Sequence, residues 1–162
     1  MRVPNSLTRT IGRLTMGAGL VACVTSAAAA QSPHFGARLG VDFDSKDMLV
    51  STQATVPVTS RLEFYPSIDV YLPDEGTRTG FNGDLKFRLP TQSGPELYIG
   101  GGLNVLLRHV NDESDTDVGV KGLFGIETRT GWIHPFLEGR VLMHDNSTFQ
   151  FVGGLNFTIG GR

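Results

Sequence analysis

The sequence predicts an all-β fold built as one large antiparallel sheet, and three observations support this prediction. Eight stretches alternate apolar and polar residues with a period of two, the period at which successive strand side chains point to opposite faces. The apolar phase of these stretches carries no charged side chain. After Gln31 no segment shows convincing helical periodicity, so the chain encodes a sheet with one apolar and one polar face.

Each strand in the first half of the chain is predicted from its own apolar phase. Arg38 interleaves with the apolar phase of the first stretch and Glu63 with that of the third, whereas Thr52 and Ala54 make the second stretch the weakest. The predicted strands are 34–44 (Phe35-Ala37-Leu39-Val41-Phe43), 47–58 (Met48-Val50-Thr52-Ala54-Val56), 61–72 (Leu62-Phe64-Pro66-Ile68-Val70) and 80–90 (Phe81-Gly83-Leu85-Phe87-Leu89).

The second half of the chain continues the pattern in longer stretches. Glycine and proline enter the apolar phase there, but charge does not. The predicted strands are 96–109 (Leu97-Ile99-Gly101-Leu103-Val105-Leu107), 117–128 (Val118-Val120-Gly122-Phe124-Ile126), 132–143 (Ile133-Pro135-Leu137-Gly139-Val141-Met143) and 148–160 (Phe149-Phe151-Gly153-Leu155-Phe157-Ile159). Eight strands are enough to close a small barrel.

The connections between the strands are of two kinds, and they alternate along the chain. Compact turns with Gly, Ser, Thr and Pro occur at 59–60, 91–95 and 129–131. The other connections are 45–46, 73–79, 110–116 and 144–147, of which 73–79 and 110–116 are long and acidic. Alternate connections of an up-and-down meander lie at opposite ends, so we expect one end with tight turns and one with acidic loops.

The polar phase has the composition of a narrow, filled lumen. It contains seven glycines, which leave room for larger side chains inside an eight-strand barrel: Gly36, Gly40, Gly100, Gly102, Gly119, Gly125 and Gly154. It also carries charges of both signs, which buried environments tolerate when they are paired. The predicted lumen charge network is Arg38, Glu63, Asp69, Asp84, Lys86, Arg88, Arg108, Lys121, Glu127, Glu138 and Arg140.

With the polar phase inside, the apolar phase faces outward. About five apolar positions per strand match the nine to eleven tilted residues that cross a hydrocarbon layer of roughly 25 Å. A closed barrel also satisfies every backbone group in lipid. The sequence therefore predicts an eight-stranded antiparallel up-and-down transmembrane β-barrel.

The N-terminus predicts export. Residues 1–30 combine three arginines, no acid, an apolar run from Leu14 to Val24 and an alanine-rich cleavage site, which together indicate a secretory signal peptide. The barrel domain is then 31–162. Leu20-Val21-Ala22-Cys23 also resembles a lipoprotein box, so lipidation at Cys23 is the alternative processing route. Because Cys23 is the only cysteine, disulfides do not hold the barrel domain.

Three sequence segments resemble those typical of small bacterial outer-membrane β-barrels. They are Tyr98-Ile99-Gly100-Gly101-Gly102-Leu103-Asn104, Pro135-Phe136-Leu137-Glu138-Gly139-Arg140 and Phe151-Val152-Gly153-Gly154-Leu155-Asn156-Phe157. The chain from His34 to Ile159 is similar to the eight-strand family typified by OmpA-like transmembrane domains and OmpX. The resemblance implies an integral protein of a Gram-negative outer membrane, a porin-like barrel without cofactors that contacts outer-membrane lipids, lipopolysaccharide and the barrel insertion machinery.

The function expected from these patterns is non-enzymatic. We expect a monomer with a structural or surface-interaction role through its acidic loops. The predicted barrel domain has eleven basic and sixteen acidic residues and no basic stripe, which excludes nucleic acid as a partner. Two alternatives stay open: a soluble lipocalin-like barrel that binds an apolar ligand, and a lipid-modifying outer-membrane enzyme.

Two side-chain groups invite a chemical interpretation. His144-Asp145-Asn146-Ser147 places a base, an acid and a hydroxyl together, which is the only support for the enzyme alternative, and a polar hairpin loop explains it more simply. Clustered carboxylates suit a hard cation such as calcium. The possible cation-binding loop is Asp112, Glu113, Asp115 and Asp117, although solvated acidic loops are common and no metal cofactor is expected.

Overall fold

The computed structural model describes residues 32–73, 76–92, 94–110, 113–144 and 147–159. The predicted signal peptide at 1–30 lies outside these residues. The described residues form eight strands: β1 (His34–Asp42), β2 (Met48–Pro57), β3 (Leu62–Leu72), β4 (Thr77–Arg88), β5 (Glu96–Val110), β6 (Glu113–Glu127), β7 (Ile133–Met143) and β8 (Ser147–Thr158). No helix long and apolar enough to cross a membrane occurs in this part of the chain.

The eight strands close into one barrel. Each strand pairs antiparallel with the next, and β8 returns to pair with β1 from His34 opposite Thr158 to Asp42 opposite Gln150. This confirms the predicted all-β, eight-stranded antiparallel architecture. We call the end with the connections 58–61, 89–95 and 128–132 the turn side, and the opposite end the loop side.

Two strands begin earlier than predicted. β4 begins at Thr77 and β6 at Glu113, so most of the segment predicted as an acidic loop at 110–116 is strand. β5 pairs with β6 as far as Val110 opposite Glu113, whereas the described pairing of β6 with β7 ends at Val120 opposite Met143. We call residues 107–110 and 113–117 the β5–β6 extension, because they continue beyond the point where β7 accompanies them.

The barrel has its polar residues inside and its apolar residues outside. Among the described residues, thirty large hydrophobic side chains are exposed and only nine are buried, while twenty-one polar or charged residues are buried. Along β3, for example, Phe64 and Ile68 are exposed, whereas Tyr65 and Asp69, the residues that directly follow them, are buried. The outward orientation of the apolar phase, predicted from the glycines and the mixed-sign charges of the polar phase, is therefore the one observed.

The interior also contains apolar side chains that the alternation did not predict. Leu49, Leu106 and Leu142 occupy inward positions near the loop side, each at most 1% exposed. Leu49 and Leu106 belong to a buried cluster that includes Tyr71 and Val152. These side chains fill lumen volume without adding a charge that would need a partner.

Candidate functional site: the charged lumen

The lumen contains ten of the eleven residues of the predicted charge network. Each of the ten is at most 4% exposed, and they comprise five cations and five anions. Buried charges are tolerated when opposite charges and hydrogen bonds satisfy them, and this balance meets the first requirement. The ten residues are Arg38, Glu63, Asp69, Asp84, Lys86, Arg88, Lys121, Glu127, Glu138 and Arg140.

The cluster at the turn side is centred on Arg88. Its Nε and Nη2 donate to the two carboxylate oxygens of Glu63 at 2.7 Å each, a bidentate arrangement that fixes both side chains. Nη2 of Arg88 also donates to Glu127 at 2.9 Å. Lys86 Nζ lies 3.7 Å from Glu63 and 3.6 Å from Glu127. Strands β3, β4 and β6 are thereby joined across the lumen.

A second cluster at mid-height forms a ring of alternating charge. Arg38 lies 2.8 Å from Asp69 and 3.8 Å from Glu138. Arg140 lies 3.3 Å from the same Asp69 and 2.6 Å from the same Glu138. Tyr98 adds a hydroxyl that donates to Glu138 at 3.0 Å. Four buried ions from β1, β3 and β7 thus fill the centre of the barrel.

Two lysines complete the buried network in different ways. Lys121 forms a separate pair with Asp84, with Nζ 2.6 Å from the carboxylate. Lys86 has its ammonium between two aromatic rings, 4.3 Å from the centre of Tyr65 and 4.4 Å from that of Tyr98. A cation over a ring face is attracted by the ring quadrupole, so the buried tyrosines stabilise charge as well as fill space.

A hydrogen-bonded relay connects the loop side to the central ring. The amide of Asn82 donates to the Asp69 carboxylate at 2.9 Å, and this fixes the Asn82 oxygen as the acceptor from Asn104 at 2.8 Å. The Asn104 oxygen in turn faces His144 Nε2 at 3.1 Å. Since an amide oxygen only accepts, Nε2 of His144 carries a proton and donates it to this relay.

The prediction for Arg108 was wrong. Arg108 has the inward parity of its strand but lies in the β5–β6 extension, where its side chain is 47% exposed. Its ion-pair partner is Asp117 at 3.8 Å, a residue that is itself 27% exposed. The alternation shows which face of the strand a residue lies on, but it does not show where the barrel wall ends and the residue becomes exposed.

Five further charged residues form ion pairs that were not part of the predicted network. Arg129, in a turn-side connection, lies 2.7 Å from Glu63, and Glu96 lies 2.9 Å from Arg88. Near the loop side, Arg78 lies 3.2 Å from both Asp42 and Asp47. Arg129 and Asp47 lie outside the strands, so the alternation of strand residues could not locate them. For the loop-side group, the available signal was Asp42, a charged residue in the polar phase of β1.

The possible cation-binding loop is only partly described. Asp112 and the side chain of Glu113 lie outside the described part of the chain. Asp115 is exposed and Asp117 half-buried, both in the β5–β6 extension. No group of three or more His, Cys, Asp or Glu side chains suited to a metal occurs among the described residues, and the cation site stays a prediction.

Inward glycines give room to the large lumen side chains. A Cβ added to Gly125 would contact the Tyr98 ring, whose hydroxyl is bonded to Glu138. A Cβ added to Gly102 would lie 2.6 Å from Asp84. These glycines therefore lie where ion-pair partners from neighbouring strands occupy the space of a side chain. The charged side chains of the lumen are thus paired with one another, and these ion pairs fill the lumen and connect strands across it.

Comparison with known proteins places the fold. No family model matches the chain, and no curated protein matches it either. Among solved structures, the N-terminal β-barrel domain of Pseudomonas aeruginosa OprF matches with a TM-score of 0.70 at 14% identity, covering 80% of this chain and 98% of that domain. Neisserial surface protein A matches with a TM-score of 0.62 at 12% identity, covering 78% and 96%.

A de novo designed transmembrane β-barrel also matches, with a TM-score of 0.61 at 10% identity, covering 83% of this chain and 98% of the design. The fold is thus that of the small outer-membrane β-barrels. Identities this low establish the architecture alone. That a designed barrel shares it illustrates that this fold does not by itself imply a particular activity.

Proposed function

We propose that this chain is an integral protein of a Gram-negative outer membrane, with no enzymatic activity and with a structural or surface-interaction role in the envelope. The observation that carries the proposal is the apolar exterior, on which thirty large hydrophobic side chains of the described residues are exposed. Soluble monomers rarely expose contiguous apolar patches of more than a few hundred Å². A lipid layer covers such a surface without any partner protein.

Aromatic rings at both edges of the apolar exterior support the membrane orientation. Trp132, which is 67% exposed, lies against Phe157 on the turn side with ring centres 5.9 Å apart. Phe43 and Phe149 stack on the loop side at 5.7 Å. Amphipathic and aromatic rings are enriched at the two membrane–water interfaces. The apolar band between these pairs is the part that we place in the hydrocarbon layer.

The filled lumen supports a role other than solute conduction. Arg38, Asp69, Glu138 and Arg140 meet across the centre, and all four are buried. An eight-strand barrel has room inside for side chains and little else. We therefore assign function to the outside of the molecule, where the β5–β6 extension presents the exposed Asp115.

The partners that fit this proposal are outer-membrane lipids, lipopolysaccharide and, during assembly, the barrel insertion machinery. Closure of the sheet supports a monomer, because a closed barrel leaves no strand edge in its wall for another copy. The expected route is export followed by removal of residues 1–30.

Cell fractionation and electrophoresis test the membrane assignment. We expect the protein in the outer-membrane fraction, extractable only with detergent, and migrating differently before and after boiling, as closed barrels do. Release into the soluble periplasmic fraction would contradict the proposal. Separately, planar-bilayer recordings of the purified barrel should lack porin-sized conductance; large stable openings would contradict the filled lumen.

The two alternative functions have less support. A lipocalin-like carrier needs an apolar interior, whereas twenty-one polar or charged residues are buried in the described part of this barrel. The enzyme alternative depends on His144, whose Nε2 is engaged with Asn104; Asp145 and Asn146 lie outside the described residues. Replacing His144 with Ala should leave the envelope lipids unchanged by mass spectrometry, and an altered lipid profile would favour the enzyme.

A further inference from the structure

Two histidines meet inside the turn-side opening of the barrel. His34, at the start of β1, is 5% exposed and His134, near the start of β7, is 4% exposed. Their ring centres are 4.8 Å apart and the ring planes are inclined by 57°. β1 and β7 are the two neighbours of β8, where His34 lies opposite Thr158 and His134 opposite Asn156. The pair therefore spans the seam at which the barrel closes.

The tautomer of His134 is fixed by its backbone partner. Its Nε2 lies 3.0 Å from the carbonyl oxygen of Gly131. A carbonyl oxygen only accepts, so Nε2 carries the proton and the neutral ring has its lone pair on Nδ1. Nδ1 is buried and has no hydrogen-bond partner among the described residues. Metal-binding histidines commonly have this arrangement, with one ring nitrogen donating to a carbonyl and the other free to bind.

Three more buried polar atoms without a partner in the described residues lie on β1 and β2 toward the same opening. Nδ1 of His34 is buried without a hydrogen-bond partner in the described structure, as are Thr55 Oγ1 and Gln53 Oε1 on β2. Thr55 lies directly opposite His34 in the sheet. Gln53 reaches over to Asn156, the neighbour of His134, with its Nε2 2.8 Å from Asn156 Oδ1. A buried polar atom without a partner destabilises the fold, so four of them near one opening point to a shared ligand.

We propose that His34 and His134 bind one divalent transition-metal ion, each through a ring nitrogen, with oxygens of Thr55, Gln53 or water completing the coordination. A metal lies about 2.0–2.1 Å from a histidine nitrogen, and hence about 3.2 Å from the ring centre. Two ring centres 4.8 Å apart then subtend roughly 100° at the ion, an angle compatible with tetrahedral or square-planar ligands. Two imidazoles suit copper, nickel and zinc, and Cu²⁺ should bind more tightly than Zn²⁺.

The site would connect β1 to β7 across the end of β8. An ion that binds only the folded barrel stabilises it by mass action, so metal should raise the unfolding temperature. This inference goes beyond the proposed function, and it holds whether or not the exterior lies in lipid.

The chain contains its own optical probe for this site. Trp132, the only tryptophan, lies two residues before His134, and Cu²⁺ bound nearby quenches indole fluorescence. We would titrate CuSO₄ into the folded barrel in detergent, purified without a histidine tag. The expected result is saturable quenching at one equivalent, with His34→Gln and His134→Gln each weakening the apparent affinity at least tenfold.

The other two histidines of the chain provide the matched control. The double variant His109→Gln/His144→Gln retains only His34 and His134, and its titration should match that of the unmodified protein. Absence of saturable quenching in the unmodified protein, or its loss in the double variant, would overturn the proposal. Unchanged quenching in either His34→Gln or His134→Gln would overturn it as well.

A second measurement covers the case in which the single variants do not fold. ZnCl₂ should raise the unfolding temperature of the unmodified protein and of His109→Gln/His144→Gln by the same amount. An unfolding temperature that does not respond to zinc or copper in the double variant would contradict the site without reference to the His34 and His134 variants.

Discussion

The barrel wall and the β5–β6 extension follow the same alternation, yet equivalent positions in them have different environments. Arg140, inward on β7, is fully buried and lies 2.6 Å from Glu138. Arg108, also of inward parity, is 47% exposed and lies 3.8 Å from Asp117. The period of two selects the face of a strand, whereas burial in the lumen also requires the barrel wall to continue around the residue. Arg108 is paired on both sides, opposite Arg78 on β4 and Asp115 on β6, but the described pairing of β6 with β7 has already ended at Val120.

This difference should have an energetic consequence. An exposed ion pair contributes little to stability, because water already solvates both charges. Removing one partner of a buried pair is strongly destabilising, because the other charge is left uncompensated in a medium of low polarity. The same substitution should therefore have very different effects in the two regions.

The largest effect is expected from Arg140→Met, matched by Arg108→Met. Without Arg140, Asp69 and Glu138 share the single remaining arginine of the central ring, and we expect a loss of about 3–5 kcal/mol in the free energy of unfolding. Arg108→Met should cost only about 0–1 kcal/mol. Urea titration of the barrel in lipid vesicles measures both. Equal costs for the two variants would remove the distinction between the wall and the extension.

The exterior should show the same contrast. Leu103, mid-way along β5, is 61% exposed, and Thr116 lies on the corresponding face of the extension opposite Leu107. In vesicles, Leu103→Arg should destabilise the barrel by about 2–4 kcal/mol, because a charge at the bilayer centre is poorly solvated, and Thr116→Arg by about 0–1 kcal/mol. A negligible cost for Leu103→Arg would indicate that water, not lipid, covers this face.

The strands of the barrel wall could be predicted from the sequence, whereas the β5–β6 extension could not, and the difference has a physical reason. Strands in the wall have one buried and one apolar face, so their alternation is strong. Thr77-Arg78-Thr79 and the stretch from Glu113 to Asp117 are polar on both faces, and the early starts of β4 and β6 consequently left no periodic signal.

The partners within the lumen were also beyond prediction. Arg140 and Asp69 are 71 residues apart, and their contact depends on the stagger of strands around the closed barrel. Parity selected ten residues that the structure places inside, but it could not pair Arg38 with Asp69 or include Arg129 from a turn. The signal-peptide prediction and the cation-loop prediction are not tested by these contacts and stay predictions.

A smaller effect is expected from glycine substitutions on the two faces of β6. Gly125 faces the lumen, where a Cβ would contact the Tyr98 ring, whereas a Cβ on the outward Gly122 would have no atom within 4 Å. We expect Gly125→Ala to cost about 1–3 kcal/mol through overpacking, with little change for Gly122→Ala. Urea unfolding of both variants checks this. If the two variants were equally stable, the lumen would have room for an extra methyl group beside Tyr98.

The smallest effect on stability is expected from removing most of the extension. Leu107 lies opposite Thr116, so replacing residues 108–115 with Asn-Gly gives a two-residue hairpin connection of a favoured type. The contacts of β5 and β6 below this point are retained, and the pairs lost with β4 are those of the exposed Arg108 and His109. We therefore expect the free energy of unfolding to fall by no more than about 1 kcal/mol. Binding to cells or lipopolysaccharide, if it depends on the acidic extension, should be lost in the same variant. A barrel that no longer folds would instead show that the extension is an integral part of the wall.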